Sequence, residues 1–163
     1  MRTLYVIRHA KSDWNDATLS DFDRPLNNRG KRDAPQMGKW LKKQNEIPDL
    51  IISSPAKRAK KTIEKIAEEI EYDEKNIHWE KNLYETNVKT WLTVVCAIDN
   101  KHTNVFLVGH NDTLTQFVNY VADAGIVNVP TCGVVKIEFN VSGWMEISFG
   151  TGNLIWFQSP KNI

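Results

Sequence analysis

The chain has 163 residues, of which 41% are hydrophobic and 25% are charged, and its formal net charge is +1. This length suffices for one domain with a sizeable core and is short for two, so we expect a single domain over residues 1–163. The near-neutral charge argues against nucleic acid or an anionic membrane surface as a partner.

The first predicted element is a buried strand over Leu4–Ile7, where three of the four residues are β-branched or aromatic. The strand ends in Arg8 and His9, so a guanidinium and an imidazole stand where open α/β sheets bind ligands. A polar loop over residues 13–27 follows, and a loop of this length inside a compact domain is often functional.

Helical periodicity and short apolar runs alternate over the middle of the chain. Helices are predicted from Asn28 to before Pro48, from Ser54-Pro55 to about Tyr72, from about Val88 to Asp99 and over Leu114 to Val121, and strands over 49–53, 77–79 and 105–108. Ser54 is interpreted as the capping hydroxyl of its helix, with Pro55 at the first helical position.

The pattern changes after Gly133. Strands are predicted over 134–140, 144–149 and 154–157, separated by glycine-containing turns. The earlier alternation of strands and helices predicts right-handed crossovers and parallel pairing. We therefore expect a three-layer α/β/α sandwich, whose mostly parallel central sheet carries an antiparallel C-terminal edge.

Three of the predicted core strands end in polar residues that suit one chemistry. They end in Arg8-His9, in Ser53-Ser54-Pro55 followed one turn later by Arg58, and in Gly109-His110. If these strands are parallel neighbours, two arginines and two histidines share one pocket at the carboxyl edge of the sheet. Such a pocket is cationic, and the N-terminus of the helix that carries Arg58 adds to the same field. The sequence therefore predicts a site for a multiply charged anion.

Other interpretations of these residues are open to test. Two histidines with a carboxylate resemble a zinc site, but two arginines aimed at a cation would oppose its binding, so we expect no metal. A serine nucleophile at Ser54 would need a G-x-S-x-G elbow, which is absent around it. Lys57, Lys60 and Lys61 form either a solvated helix face or a surface that attracts an acidic protein.

Three motifs, taken in order, resemble those of the histidine phosphatase superfamily. They are Arg8-His9-Ala10 with Ser12, Ser54-Pro55-Ala56-Lys57-Arg58-Ala59 with Thr62, and Val108-Gly109-His110-Asn111. Ala10 stands where the family usually has glycine. The Lys11–Trp14 segment, the Asp23–Leu26 segment and the short chain look most like the SixA-type phosphohistidine phosphatase branch. The resemblance covers residues 4–112 and implies a phosphoglycerate mutase-like fold.

The resemblance also implies roles for individual residues. The implied catalytic residues are Arg8, His9, Arg58, Glu85 and His110, and the implied phosphate ligands are Arg8, Ser12, Asn15, Arg58 and His110. His9 would be the nucleophile that carries the phosphoryl group transiently. Glu85 would be the general acid unless it is only an exposed loop carboxylate, in which case Asp13 or Asp23 is the next candidate. No metal or organic cofactor is required.

The leading functional expectation is a phosphatase that acts on a phosphohistidine protein. The short chain leaves little for lids that enclose small phosphorylated metabolites, and an open pocket suits a phosphate displayed on a protein. A small-molecule phosphomonoesterase or mutase is the second hypothesis. A phosphate-binding module without activity is the third, and it has no need of a nucleophilic histidine.

The expected setting of the protein is cytoplasmic and monomeric, without a membrane or nucleic-acid partner. The chain enters a strand pattern directly, with no signal-peptide core, and no apolar run approaches the ~18 residues of a membrane span. Cys96 and Cys132 lie far apart without metal-ligand spacing, which is typical of reduced thiols.

Overall fold

The computed structural model describes residues 1–163. The strands are β1 (Arg2–Arg8), β2 (Leu50–Ser53), β3 (His78–Trp79), β4 (Asn104–Gly109), β5 (Val134–Phe139) and β6 (Gly152–Gln158). The α-helices are α1 (Asn28–Lys43), α2 (Lys57–Ile70), α3 (Val88–Cys96) and α4 (Thr113–Ala122). None of these helices is both long enough and apolar enough to cross a bilayer.

The six strands form one mixed sheet in the order β3-β2-β4-β1-β5-β6. The four strands from β3 to β1 are parallel, whereas β5 is antiparallel to β1 and to β6. The expectation of a mostly parallel sheet with an antiparallel C-terminal edge is confirmed. In register, Arg8 of β1 lies beside Gly109 of β4, and Ser53 of β2 lies beside Val108. The carboxyl ends of the three core strands therefore meet at one edge.

Successive residues of a core strand point to opposite faces of the sheet, and both sets are apolar. Both faces are therefore covered by helices. Tyr5 and Ile7 of β1 pack in one core with residues of α1 and α2, among them Met37 and Ile63. Leu4 and Val6 pack in the other core with residues of α3 and α4, including Trp91 and Phe117. Each fully buried aliphatic side chain contributes about 1.5–3 kcal/mol. The result is the expected three-layer α/β/α arrangement.

The predicted strand over 144–149 is wrong. Residues Trp144–Glu146 form a single 3₁₀ turn, and β5 pairs directly with β6. The turn buries the indole of Trp144, whose Nε1 donates to the carbonyl of His102 at 2.8 Å, and it leaves Met145 82% exposed. Over so few residues, the spacing of apolar side chains does not distinguish a strand from one helical turn.

Candidate active site

The sheet edge brings together the four residues expected to bind an anion. Arg8 ends β1 and His9 follows it, His110 follows β4, and Arg58 lies in the first turn of α2. The rings of His9 and His110 have centroids 5.1 Å apart. The positive charges of Arg8 and Arg58 contribute to lowering the pKa of both histidines. Two distant motifs and the start of a helix thus contribute to one cationic cluster.

The hydrogen bonds of His9 favour a nucleophilic tautomer. The residue is 7% exposed, and its Nδ1 lies 2.7 Å from the carbonyl oxygen of Ala10. Because a carbonyl can only accept, Nδ1 carries the proton and the lone pair remains on Nε2. Burial lowers the pKa of His9 well below 6.5, and the charges of His110, Arg58 and Arg8 act in the same direction. The imidazole is therefore neutral near pH 7.

This neutral state can be measured directly. Long-range ¹⁵N–¹H spectra should show the His9 ring as a neutral imidazole, with its single proton on Nδ1, from about pH 5.5 to about pH 8. The sign follows from the lowered pKa, since a depressed value extends the neutral form toward acid. A His9 ring that titrates at or above 6.5, the usual value, would contradict the assignment.

Ser54 has a different role from the one predicted for it. The helix begins at Lys57, and its N-cap is Ala56 without a side-chain cap, so Ser54 lies before the helix. Its Oγ accepts from the backbone N–H of Ala56 at 3.2 Å and lies 2.7 Å from Nε2 of His110. Burial lowers the pKa of His110 to about 3, and Arg58 contributes to the shift. A neutral His110 whose Nε2 accepts from the Ser54 hydroxyl carries its proton on Nδ1.

Three buried nitrogens of this cluster lack a hydrogen-bond partner. They are Arg8 Nε, Arg58 Nε and His110 Nδ1, out of five such side-chain atoms in the whole chain. Leaving a buried donor unpaired costs about 1–3 kcal/mol. Concentrating that cost at one strand edge is expected where an anion with several oxygens completes the hydrogen bonds.

An unpredicted residue, Asp21, binds the arginine of α2. Arg58 Nη1 donates to the Asp21 carbonyl at 2.7 Å, and Nη2 donates to its carboxylate at 3.0 Å. Tyr84 and Arg24 also donate to the carboxylate, at 2.7 and 3.1 Å. Burial opposes ionisation, but the bond from Tyr84 and the charge of Arg58 outweigh it and lower the pKa of Asp21 to about 2. Asp21 is therefore an anion that orients Arg58, and it has no proton to give.

The loop that carries Asp21 is held by Arg24, which also bonds to Ser12, one of the predicted phosphate ligands. Arg24 Nη1 donates to the buried Oγ of Ser12 at 2.7 Å, and its guanidinium stacks on Trp14 at 3.4 Å. Asn15 is exposed, and its backbone N–H donates to the Asp13 carboxylate. Like Arg8 and His9, Ser12 and Asn15 do not line the cavity described below. The role of Ser12 and Asn15 as phosphate ligands therefore stays a prediction.

A cavity of about 300 Å³ opens beside the cluster and contains the predicted acid. It is lined by Asp21, Arg58, Leu83, Tyr84, Glu85, Thr86, His110, Asn111 and Thr113. Arg8 and His9 do not line this cavity, and His9 contacts it through the neighbouring ring of His110. Glu85 is exposed and has a φ of 49°, in the left-handed region that non-glycine residues rarely adopt. Such backbone strain is common where a loop presents a functional side chain.

Comparison with known proteins gives a family match over the N-terminal part of the chain. The family described as "Histidine phosphatase superfamily (branch 1)" matches residues 4–95. Among curated proteins, an uncharacterized chloroplastic protein of Arabidopsis thaliana is 28% identical over 153 residues, which covers 89% of this chain and 70% of that protein. The matched segment contains Arg8, His9 and Arg58.

Solved structures extend the similarity to nearly the whole chain. The protein histidine phosphatase SixA complexed with tungstate superposes with a TM-score of 0.84 at 21% identity, covering 98% of both chains. A SixA from Agrobacterium tumefaciens, assigned as a phosphohistidine phosphatase, gives a TM-score of 0.81 at 27% identity and covers 98% of both chains. The fold expected from the motifs is thus the fold of these proteins.

Proposed function

The chain belongs to the histidine phosphatase superfamily, and we propose that it is a phosphatase in which His9 accepts the phosphoryl group. One observation carries this proposal. The free lone pair on Nε2 of His9 lies in a cluster with three buried nitrogens that lack partners, on Arg8, Arg58 and His110. A nucleophile and a set of anion ligands are what phosphoryl transfer requires, because the protein's main tasks are positioning and charge stabilisation.

The proposed reaction has two steps. Nε2 of His9 attacks phosphorus, the N–P bond forms as the bond to the leaving group breaks, and the leaving group takes up a proton from Glu85 or from solvent. Arg8, Arg58 and His110 donate to the equatorial oxygens, where charge resides in a loose transition state. Water then attacks phosphorus and gives up a proton to Glu85 or to solvent, the N–P bond breaks with its electron pair returning to Nε2 of His9, and inorganic phosphate leaves. The guanidinium charges stabilise the phosphoryl oxygens throughout, so we propose turnover without a metal or an organic cofactor.

We propose a histidine-phosphorylated protein as the substrate. The cavity is open and polar, with Glu85 exposed at its side, and this favours a phosphate that projects from a larger surface. The loop over residues 13–27 presents exposed apolar side chains, with Trp14 70% exposed and Leu19 and Phe22 each 37% exposed. Apolar side chains around a charged pocket suit contact with another protein. A phosphoramidate also needs little acid assistance, because a protonated imidazole leaves readily.

The decisive test is to trap the enzyme-bound phosphoryl group. After brief mixing with a ³²P-labelled phosphohistidine protein, the denatured enzyme should carry label that is stable to base and labile to acid, as phosphohistidine is. Vanadate should compete with substrate, and EDTA should leave the rate unchanged. Acid-stable label, or turnover without enzyme-bound label, would exclude His9 as the acceptor. Faster turnover of a small phosphorylated metabolite would favour the small-molecule hypothesis.

A further inference from the structure

A lysine-lined cavity lies between α1 and α2, apart from the one that contains Glu85. Its volume is about 330 Å³, and its lining residues are Pro25, Leu26, Lys31, Lys57, Lys61 and Lys65. We refer to it as the lysine groove. It contains no acidic side chain and no aromatic ring. In a protein with a net charge of only +1, this is a local concentration of positive charge.

The sequence of α2 arranges these lysines in a row. Lys57, Lys61 and Lys65 are spaced four residues apart, so they lie on one stripe of the helix, and Lys31 approaches from α1. Like charges at this spacing repel one another, so the helix gains nothing from the stripe itself. The row spans about 12 Å, the length of roughly four residues of an extended peptide.

The positive charge of the groove is only partly balanced within the chain. Lys61 and Lys65 lie 3.7 Å from the carboxylates of Glu64 and Glu68, and both lysines are solvent-exposed, as is Glu68, whereas Glu64 is half-buried. Surface pairs of this kind are weak and are readily exchanged for another anion. Lys31 and Lys57 form no ion pair. The groove can therefore accept further negative charge.

The groove adjoins the proposed active site along the chain. Lys57 immediately precedes Arg58, and Pro25 and Leu26 immediately follow Arg24, which bonds to Asp21. A ligand in the groove would thus contact the segments that carry Arg58 and the Asp21 loop. Its position suits recognition of residues next to a phosphorylated side chain.

We propose that the lysine groove binds a short acidic segment of the phosphoprotein substrate, an inference that rests on the proposed function. Four ammonium groups complement carboxylates, while Pro25, Leu26 and the lysine stems offer apolar contact to a peptide. Binding of single-stranded nucleic acid usually combines a basic groove with aromatic rings that stack on bases, and the lining has none. The groove thus selects substrates by charge outside the catalytic cluster.

Two phosphohistidine peptides test the inference, one with four glutamates beside the phosphohistidine and one with glutamines in their place. In about 50 mM NaCl, kcat/KM for the acidic peptide should be about tenfold higher, and most of the difference should disappear in about 500 mM NaCl. The K31E/K61E/K65E variant should lose this preference. Its hydrolysis of p-nitrophenyl phosphate should be unchanged. The K39E/K43E/K101E variant, which has the same change of charge outside the groove, should keep the preference.

A binding measurement separates this inference from the proposed function. Fluorescence anisotropy with the unphosphorylated acidic peptide should show binding to the wild-type protein and to K39E/K43E/K101E, and about tenfold weaker binding to K31E/K61E/K65E. If only K31E/K61E/K65E binds the peptide more weakly but neither phosphopeptide is hydrolysed, the proposed function is wrong, whereas the proposal that the groove binds an acidic peptide is supported. Three outcomes would refute the proposal that the lysine groove binds an acidic segment of the substrate. The first is equal turnover of both phosphopeptides, and the second is equal binding of the peptide by the two variants. The third is groove-dependent binding of a single-stranded oligonucleotide of matched charge that is as tight as the binding of the peptide.

Discussion

His9→Ala is expected to lose about 10⁴-fold or more in kcat/KM, the scale of loss when an enzyme's nucleophile is removed. Without the imidazole there is no acceptor for the phosphoryl group, although Arg8, Arg58 and His110 can still bind it. The fold should persist, because His9 follows the strand and its side chain bonds only to the adjacent carbonyl of Ala10. We expect a fall in Tm of no more than ~5 °C.

Steady-state kinetics with p-nitrophenyl phosphate and a phosphohistidine peptide measure the loss, and thermal unfolding checks the fold. His78→Ala is the matched control, because His78 is exposed and lies on β3, outside the cluster. It should retain wild-type activity. Substantial activity in folded His9→Ala would mean that water attacks directly and that His9 only binds phosphate.

Glu85→Gln is expected to slow the hydrolysis of an alkyl phosphomonoester by about 10²–10⁴-fold, the range that general acids supply. An alkoxide is a poor leaving group and needs a proton. A nitrophenolate is a good leaving group, and a phosphoramidate nitrogen is easily protonated by solvent. The rates with the aryl phosphate and phosphohistidine substrates should therefore change little. Because Gln and Glu meet the same restriction at a φ of 49°, the substitution keeps the backbone strain constant.

Relative kcat/KM values for a serine phosphate peptide, p-nitrophenyl phosphate and a phosphohistidine peptide measure this contrast. Glu74→Gln serves as the control, because Glu74 is exposed and does not line the cavity with Glu85. Equal slowing of all three substrates would indicate a positioning role for Glu85, and no slowing would make it a bystander. Asp21 would not replace it, because a carboxyl with a pKa of about 2 is ionised at neutral pH.

The sequence alone determined the order of layers and the place of the site. Each core strand is an apolar run that ends at a charged or small polar residue, and such runs alternate with helices of clear periodicity. Parallel pairing of these strands then predicts that Arg8-His9 and Gly109-His110 lie side by side, and this prediction requires no information on side-chain contacts. The secondary structure of residues 144–149 could not be predicted in the same way. The apolar side chains of this segment fit both a strand and a turn until the buried position of the Trp144 indole is known.

Only the tertiary structure decided which groups complete the site. Asp21 binds Arg58 across 37 residues of chain, and Ser54 bonds to His110 across 56. Local periodicity carries no signal for either contact. In the sequence, Asp13, Asp21 and Asp23 are equivalent carboxylates of one polar loop. They differ because of the path of that loop. The hydrogen bonds of Arg24 to Ser12 and Asp21 hold the loop against α2. The carboxylate of Asp21 therefore contacts the guanidinium of Arg58.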